Sequence, residues 1–448
     1  MTAALAVALG VAYTLSPLTV LSLAVLAWAM HAGSRGLSAA ERRWFWSLMS
    51  AAVVLRLAAI ALLFLTADPA RPFASFFGDE ELYKFRTTWL RNIGQGIAMS
   101  PADVAYSFDA VGHTSYIYIL AFVQALVGDA PYGLHVLNMT LYLCGTLAFY
   151  RLARAGYGAS VAMAGLLVLL FLPTIAVWSI SVLKEPMNVF MIAVELICAV
   201  AIVRAPRWWQ KALAAGGVAG TAYVMESLRQ GGFPTAVIGT VGGVLLVAAL
   251  SRGRRLAFAL VLVPAAIIIL ATTSAVQQRV LSNLREAAFY HAGHVLTPGH
   301  SYYVVDRRYY DDRLELRHMP AIDAGRFVAS AMWSYVAEPV PWRTASPLLL
   351  AYLPEQLVWY LMALMVPFGV LAGMRRDLVL TSMLVTHAAG AIVLVALTSG
   401  NIGTLIRHRA LALPYLVWLS ALGAHECVRQ YLKRSRVPVE RGRIDDDR

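Results

Sequence analysis

Apolar runs long enough to cross a bilayer recur from one end of this chain to the other, and no other feature limits its fold as much. A hydrocarbon core of about 30 Å takes about 20 apolar residues in a helix. Runs of that kind stand near residues 3–29, 48–66, 133–153, 160–180, 186–203, 212–226, 232–250, 256–274, 346–373, 378–398 and 408–424. They predict an all-α polytopic membrane protein of about eleven spans. Composition agrees: 59% of residues are hydrophobic and only 14% charged, with a mean hydropathy of +0.65, which no soluble domain of 448 residues would tolerate. Residues 1–29 lack a basic leader and run too long for a signal core, so they are read as a first span. Cys144, Cys198 and Cys427 lie in or beside apolar runs without metal-ligand spacing, which speaks against a disulfide framework and a zinc site.

Charge sets the expected threading. The stretch 114–128 is too short to span comfortably, and its Tyr116 and Tyr118 suit the headgroup region, so it is read as an amphipathic or re-entrant helix. With that stretch left out of the count, basic clusters fall on one side: Arg35/Arg42/Arg43, Arg151/Arg154, Arg204/Arg207/Lys211, Arg252/Arg254/Arg255, Arg375/Arg376 and the tail after Arg429. By the positive-inside rule that side is cytoplasmic. The expected organisation is one transmembrane domain over 1–448, with outer segments at 67–132 and 275–345 and a basic cytoplasmic tail at 426–448. A formal net charge of +12 is then membrane-facing charge attracted to anionic lipid, not a nucleic-acid signal. No internal repeat of the inverted-transporter kind is visible.

Polar residues in the outward turns are the candidates for chemistry. Phe77-Gly78-Asp79-Glu80-Glu81 opens the first long polar stretch, and crowded carboxylates suit a site that needs a proton acceptor or a metal ligand. Ser399-Gly400-Asn401-Ile402-Gly403-Thr404-Leu405-Ile406-Arg407-His408-Arg409 reads as an anion-binding helix start, with Arg407, His408 and Arg409 beside free backbone N–H groups. Trp178-Ser179-Ile180-Ser181-Val182-Leu183-Lys184-Glu185-Pro186 is an outward turn in which Lys184 and Glu185 could pair at a cavity mouth and Pro186 fits a first helical turn. Glu226 and Arg229 are similarly placed, and Arg56, inside the second span, demands a cavity or a partner. Arg307, Arg308, Arg313 and His318 enrich the second outer segment, whose aromatic density argues against disorder. His291, His294 and His300 show no clear ligand pattern.

The outer carboxylates Asp79-Glu80, the amphipathic helix behind them and the stretch Asn138 to Arg154 followed by Gly156-Tyr157-Gly158 form a recognisable layout. With the Ser-Val-Leu-Lys-Glu-Pro turn and the Arg-His-Arg before a span containing Pro414, that layout resembles the GT-C superfamily of polytopic glycosyltransferases. The likeness covers most of residues 50–425; the basic segment 275–345 has no counterpart in it. The resemblance implies an inverting glycosyltransferase of the bacterial inner (plasma) membrane, with its active site on the periplasmic face. Its donor would be a polyprenyl-phosphate-linked sugar and its acceptor a glycan, lipid or protein. Asp79 would act as general base with Glu80 as its close rival. Arg407, His408, Arg409, Lys184, Glu185, Arg229, Arg307 and Arg308 would hold the lipid phosphate and sugar. The resemblance fixes no cofactor, and a divalent cation could assist. An O-antigen polymerase or ligase acting on polyprenyl-pyrophosphate glycans would instead centre on Arg307, Arg308, Arg313 and His318. A lipid-linked oligosaccharide flippase would line a central cavity with its cations.

Overall fold

Backbone groups in a hydrocarbon core must be satisfied within their own segment, and the chain answers with helices throughout. The computed structural model describes residues 16–68, 74–109, 114–251, 272–297, 300–341 and 347–435, together with residues 265 and 268. Among the described residues there is no strand, only one isolated bridge between Ser301 and Asn401. The main helices are α1 (Pro17–Ser34), α2 (Ala39–Thr66), α3 (Gly78–Gly94), α4 (Ser115–Val127), α5 (Pro131–Tyr157), α6 (Ala159–Phe171), α7 (Glu185–Arg204) and α8 (Trp208–Leu228). They continue as α9 (Gly232–Leu250), α10 (Ser274–Val295), α11 (Ala321–Ala337), α12 (Pro347–Arg376), α13 (Leu378–Thr398), α14 (Ile402–Arg409) and α15 (Leu413–Ser435).

Local chemistry sets several starts. Ser16 accepts from Leu18 N at 3.0 Å ahead of Pro17, Thr114 from Tyr116 N at 3.2 Å, and the Asp377 carboxylate from Leu380 N at 3.0 Å. Among the described residues, seven helices (α1, α2, α5, α7, α9, α12 and α13) are long and apolar enough to cross a membrane, and the bent pair α14–α15 makes an eighth if counted as one span.

The expected eleven spans are therefore met in part. The expected span at 160–180 is broken: α6 stops at Phe171, because Pro173 offers no N–H and biases Leu172 (ψ 119°) away from helical backbone, and a short helix Pro173–Trp178 follows. The expected span at 212–226 is helical, within α8, but its glycines and polar residues leave it outside the seven. The expected final span at 408–424 is interrupted at residues 410–412 and bends by 68°. Most of the expected span 256–274, residues 1–15 of the first and the end of the tail lie outside the described residues.

Helix pairs approach closely where glycine permits it. A Cβ at Gly369 of α12 would stand 1.7 Å from Leu419 O of α15, so only glycine allows that crossing. Arg56 meets the demand for partners: buried in α2, it donates to Ser179 Oγ (2.8 Å), Leu170 O (3.0 Å) and Ala52 O (3.2 Å).

The bundle has two chemically different ends. At one, ion pairs join neighbouring helices: Glu41 to Arg154 at 2.5 Å, Arg204 to Asp377, and Glu426 to Arg376, with Arg429 pairing with the same Glu426 within α15. The other end is where α7 begins, and its 20 residues separate Arg204 from Glu185 by roughly 30 Å. There α3 and α4 pack over the helix ends through a second apolar core containing Tyr83, Leu90, Tyr116, Ile117, Leu120, Val182 and Leu183. The segment from α10 to α11 folds onto the main core through Tyr302, Tyr309, Tyr310, Phe327 and Tyr335, as its aromatic density predicts.

Candidate functional site

Three acids in the first turn of α3 sit where the helix dipole favours negative charge, which makes their crowding tolerable. Successive helical residues point roughly 100° apart. Asp79 and Tyr83 therefore share one face of α3, while Glu80 and Lys84 share the next.

The turn before α7 is fixed by Asn138 of α5, whose Nδ2 donates to Ser181 O (2.6 Å), Leu183 O (2.9 Å) and Tyr116 Oη (2.8 Å). Pro186 occupies the first turn of α7, as predicted. Between α8 and α9 the Glu226 carboxylate accepts from Gly231 N (3.1 Å) and Phe233 N (2.9 Å). Gly231 takes φ 89°, a conformation that costs glycine little, and this reversal presents Arg229. Ahead of α14, residues 300–302 lie alongside 400–402, with Ile402 N donating to His300 O at 2.8 Å and Tyr302 N to Gly400 O at 3.2 Å.

These supports bring together side chains that are far apart in sequence. Arg407 donates from Nε to Glu185 Oε1 (2.7 Å) and from Nη1 to Asp79 Oδ2 (2.6 Å). Its guanidinium lies 5.1 Å from the centre of the Trp178 ring, which stacks on Phe77 at 3.7 Å. Arg229 Nη2 donates to His408 Nδ1 at 3.0 Å, so that nitrogen of His408 is the unprotonated one.

Lys184 lies in the field of the same groups. Burial pushes its ammonium down to about 8 against the pull of Glu185, with Arg229 and Arg407 adding to the depression. Burial likewise lowers Arg229 to about 10, opposed by Glu185. It raises Tyr83 to about 12, with Glu185 and Asp79 acting in the same sense. The cluster thus sets three basic side chains (Lys184, Arg229, Arg407) against two carboxylates (Asp79, Glu185). Glu185 is 4% exposed and Arg407 14%, whereas Asp79 is 63% exposed at the rim. Such an arrangement can hold an anion on buried donors and offer a carboxylate to a group arriving from solvent.

Two narrow clefts flank it. One is lined by Trp178, Tyr352, Glu355, Trp359, Arg409 and Leu413. The other is lined by Asn188, Arg229, Thr235, Leu394, Leu411 and Tyr415.

Of the residues predicted from sequence, Asp79, Lys184, Glu185, Arg229, Arg407 and His408 meet here. The others are placed elsewhere. Glu80 is fully buried against Lys84 Nζ at 3.5 Å. Arg409 turns inward to Gln356 Oε1 (3.0 Å), Tyr335 O (2.6 Å) and Glu338 O, 4.6 Å from the centre of the Trp359 ring. Arg308 pairs with Asp323 at 3.0 Å on the surface, Arg307 is exposed, and Arg313 lies over the Phe289 ring. His291 is enclosed by the rings of Tyr302, Tyr310 and Phe327, and His294 Nδ1 contacts Thr398 O at 2.6 Å. Among the described residues no group of three or more His, Cys, Asp or Glu side chains is arranged to hold a metal ion.

The expected pairing of Lys184 with Glu185 is replaced by Arg407–Glu185. The expected helix start at Arg407 is also corrected. Asn401 caps α14, its side-chain oxygen accepting from Gly403 N at 2.9 Å, so Arg407, His408 and Arg409 occupy the last turn. There the dipole favours cations, and anion binding must rest on side chains instead of free N–H groups. Tyr83 and Trp178 were not singled out by sequence reasoning. Tyr83 was detectable as the residue four positions after Asp79 on one helix face. Compared with family models, curated proteins and solved structures, the chain matches none of them.

Proposed function

We propose that this protein is a membrane glycosyltransferase that moves a sugar from a polyprenyl-phosphate-linked donor to an acceptor hydroxyl on a glycan, lipid or protein. The reaction would take place at the outer, periplasmic face of a bacterial inner membrane. One observation carries the reading: Arg407 holds Asp79 and Glu185 together within a mostly buried cluster richer in bases than in acids, at the end of the bundle opposite the ion-paired arginines. A lipid phosphate supplies the missing negative charge, and arginine's planar fork suits its oxygens.

In this scheme the donor phosphate lies against Arg407, Arg229 and Lys184, and the acceptor hydroxyl approaches the exposed rim. Asp79 takes the hydroxyl proton as the acceptor oxygen attacks the anomeric carbon from the face opposite the phosphate. The bond from that carbon to the phosphate oxygen breaks, the configuration inverts, and the electron pair leaves on polyprenyl phosphate. The buried cations hold that developing charge in a site of low dielectric. Arg307 and Arg308, central to a polymerase or ligase acting on polyprenyl-pyrophosphate glycans, lie outside the cluster, and nothing favours that reading over this one.

The test is release of polyprenyl phosphate by the purified protein in liposomes, from a panel of polyprenyl-phosphate sugars. Release with one sugar, abolished by Asp79→Asn, is the expected result. Saturable binding with movement of intact donor across the bilayer would replace the reading with a flippase. No binding of any polyprenyl phosphate would overturn it.

A further inference from the structure

Asp79 and Glu80 are adjacent carboxylates that the fold treats in opposite ways. Asp79 is 63% exposed and reaches Arg407, whereas Glu80 is fully buried on the next face of α3. Glu80 faces Lys84 at 3.5 Å, one helical turn on. The Lys84 ammonium contacts His135 Nε2 of α5 at 3.0 Å, Ser75 Oγ at 3.5 Å and Ala74 O. His135 Nδ1 lies 2.7 Å from Ile180 O. A carbonyl only accepts, so Nδ1 carries the ring proton and Nε2 accepts from the lysine. The imidazole is further boxed edge-on by Phe64 and Phe76. One connected polar set therefore ties α3, the strand of chain leading into it, α5 and the turn before α7. Burial holds the Lys84 ammonium down to about 8 and raises the Glu80 carboxyl, with Lys84 opposing that rise.

We infer that Glu80, Lys84 and His135 form a positioning element that sets the rotation and depth of α3 so that Asp79 meets Arg407, and that Glu80 handles no substrate proton. The Glu80–Lys84 pair lies within α3 and turns with it; what restricts the helix is that the buried Lys84 ammonium, kept charged by Glu80, meets His135 of α5 and Ala74 O in this placement. A quarter-turn of α3 would expose Glu80 and Lys84 and swing Asp79 away from Arg407. The inference rests on the proposed function only in treating Asp79 as the base.

The experiment reads geometry, so it does not need the substrate. In a background with Cys144, Cys198 and Cys427 replaced by alanine, cysteines are placed at 79 and 407, removing the ion pair itself. A thiol-reactive cross-linker about as long as an arginine side chain then reports their approach. A second pair, at 185 and 407, reports whether the rest of the cluster is assembled. Glu80→Gln leaves the Lys84 charge buried without its partner and is expected to lower the 79–407 yield by about five-fold or more, with the 185–407 yield within about two-fold. Glu80→Gln combined with Lys84→Gln restores a matched neutral pair and with it the 79–407 yield. With Asp79 and Arg407 intact, the same double variant keeps sugar transfer, which a catalytic Glu80 would forbid. An unchanged 79–407 yield in Glu80→Gln overturns the inference. So does a double variant that stays uncross-linked at 79–407, with or without loss of the 185–407 product. Failure of Asp79→Asn to affect transfer would remove the proposed base yet leave the cross-linking pattern standing.

Discussion

The two ends of the helix bundle use the same residue types to different effect. At the end where α2 begins, carboxylates that are 8–12% exposed meet arginines that remain open to water: Arg154 is 29% exposed, Arg204 38% and Arg429 51%. At the end where α7 begins, Arg407 is 14% exposed, grips a carboxylate that is 4% exposed, and has Arg229 and Lys184 close by without a carboxylate for each. Exposed pairs contribute little and join helix ends. Buried, unevenly matched charges cost free energy, which makes such a cluster a candidate for binding or chemistry. The same three letters of sequence chemistry thus mark a staple at one end and a candidate site at the other, and burial is what separates them.

The largest expected effect tests that separation directly. Asp79→Asn should lower sugar transfer by about 10²- to 10⁴-fold with donor binding retained, the range for loss of a general base. Glu41→Gln, which cuts a carboxylate from the opposite end, should leave transfer within a few-fold. If both variants behave alike in the liposome assay, the contrast between the ends has no catalytic meaning.

Next in size is the proposed phosphate clamp. Arg407→Ala should weaken polyprenyl-phosphate binding by roughly 1.5–3 kcal/mol, about 10- to 150-fold in Kd. Arg407→Lys should also be impaired, because lysine keeps the charge but loses the fork that spans Asp79 and Glu185. Equal affinity of the lysine variant and the parent would reduce Arg407 to a simple headgroup contact.

A smaller effect is expected from pH. Lys184 is depressed to about 8 by burial, so its ammonium is present below that pH and lost above it. Binding of polyprenyl phosphate should therefore be strongest below about 8 and weaken as pH rises through it. Lys184→Arg, charged throughout, should flatten that part of the profile; a profile unchanged by the substitution would remove Lys184 from the clamp.

Least of all should come from the opposite end. Arg204→Ala breaks an exposed pair with Asp377 and should shift stability by only about 0–1 kcal/mol, read as thermal unfolding in detergent, with no change in donor affinity. A large loss there would show that the staple end is as tightly coupled as the site end.

The class of protein and the neighbourhood of the site are legible in the linear sequence. Apolar run length depends only on local composition, so the membrane class follows from it, as does the prediction that Pro186 starts a helix. Charges in turns expected to face outward nominated Asp79, Lys184, Glu185, Arg229, Arg407 and His408, and with them Glu80, Arg409, Arg307 and Arg308, which lie outside the cluster. Span continuity was less legible. Pro173 and residues 410–412 break helices whose hydropathy alone reads as continuous.

What only the tertiary structure decided is which neighbour does what. Asp79 and Glu80 are indistinguishable by type and position in the sequence. They diverge because a helix turns roughly 100° per residue and α5 supplies His135 on one side while α14 supplies Arg407 on the other. Arg407 and Arg409 part in the same way, one toward Glu185 and the other toward Gln356 and Tyr335. The sequence by itself determined that a chain of this composition must fold as helices in a membrane and must find partners for its polar turns. The partners lie as many as 328 positions apart, and no local pattern encodes such a meeting. It is settled by the packing of the spans, because burial and pairing are properties of the assembled surface that no residue carries alone.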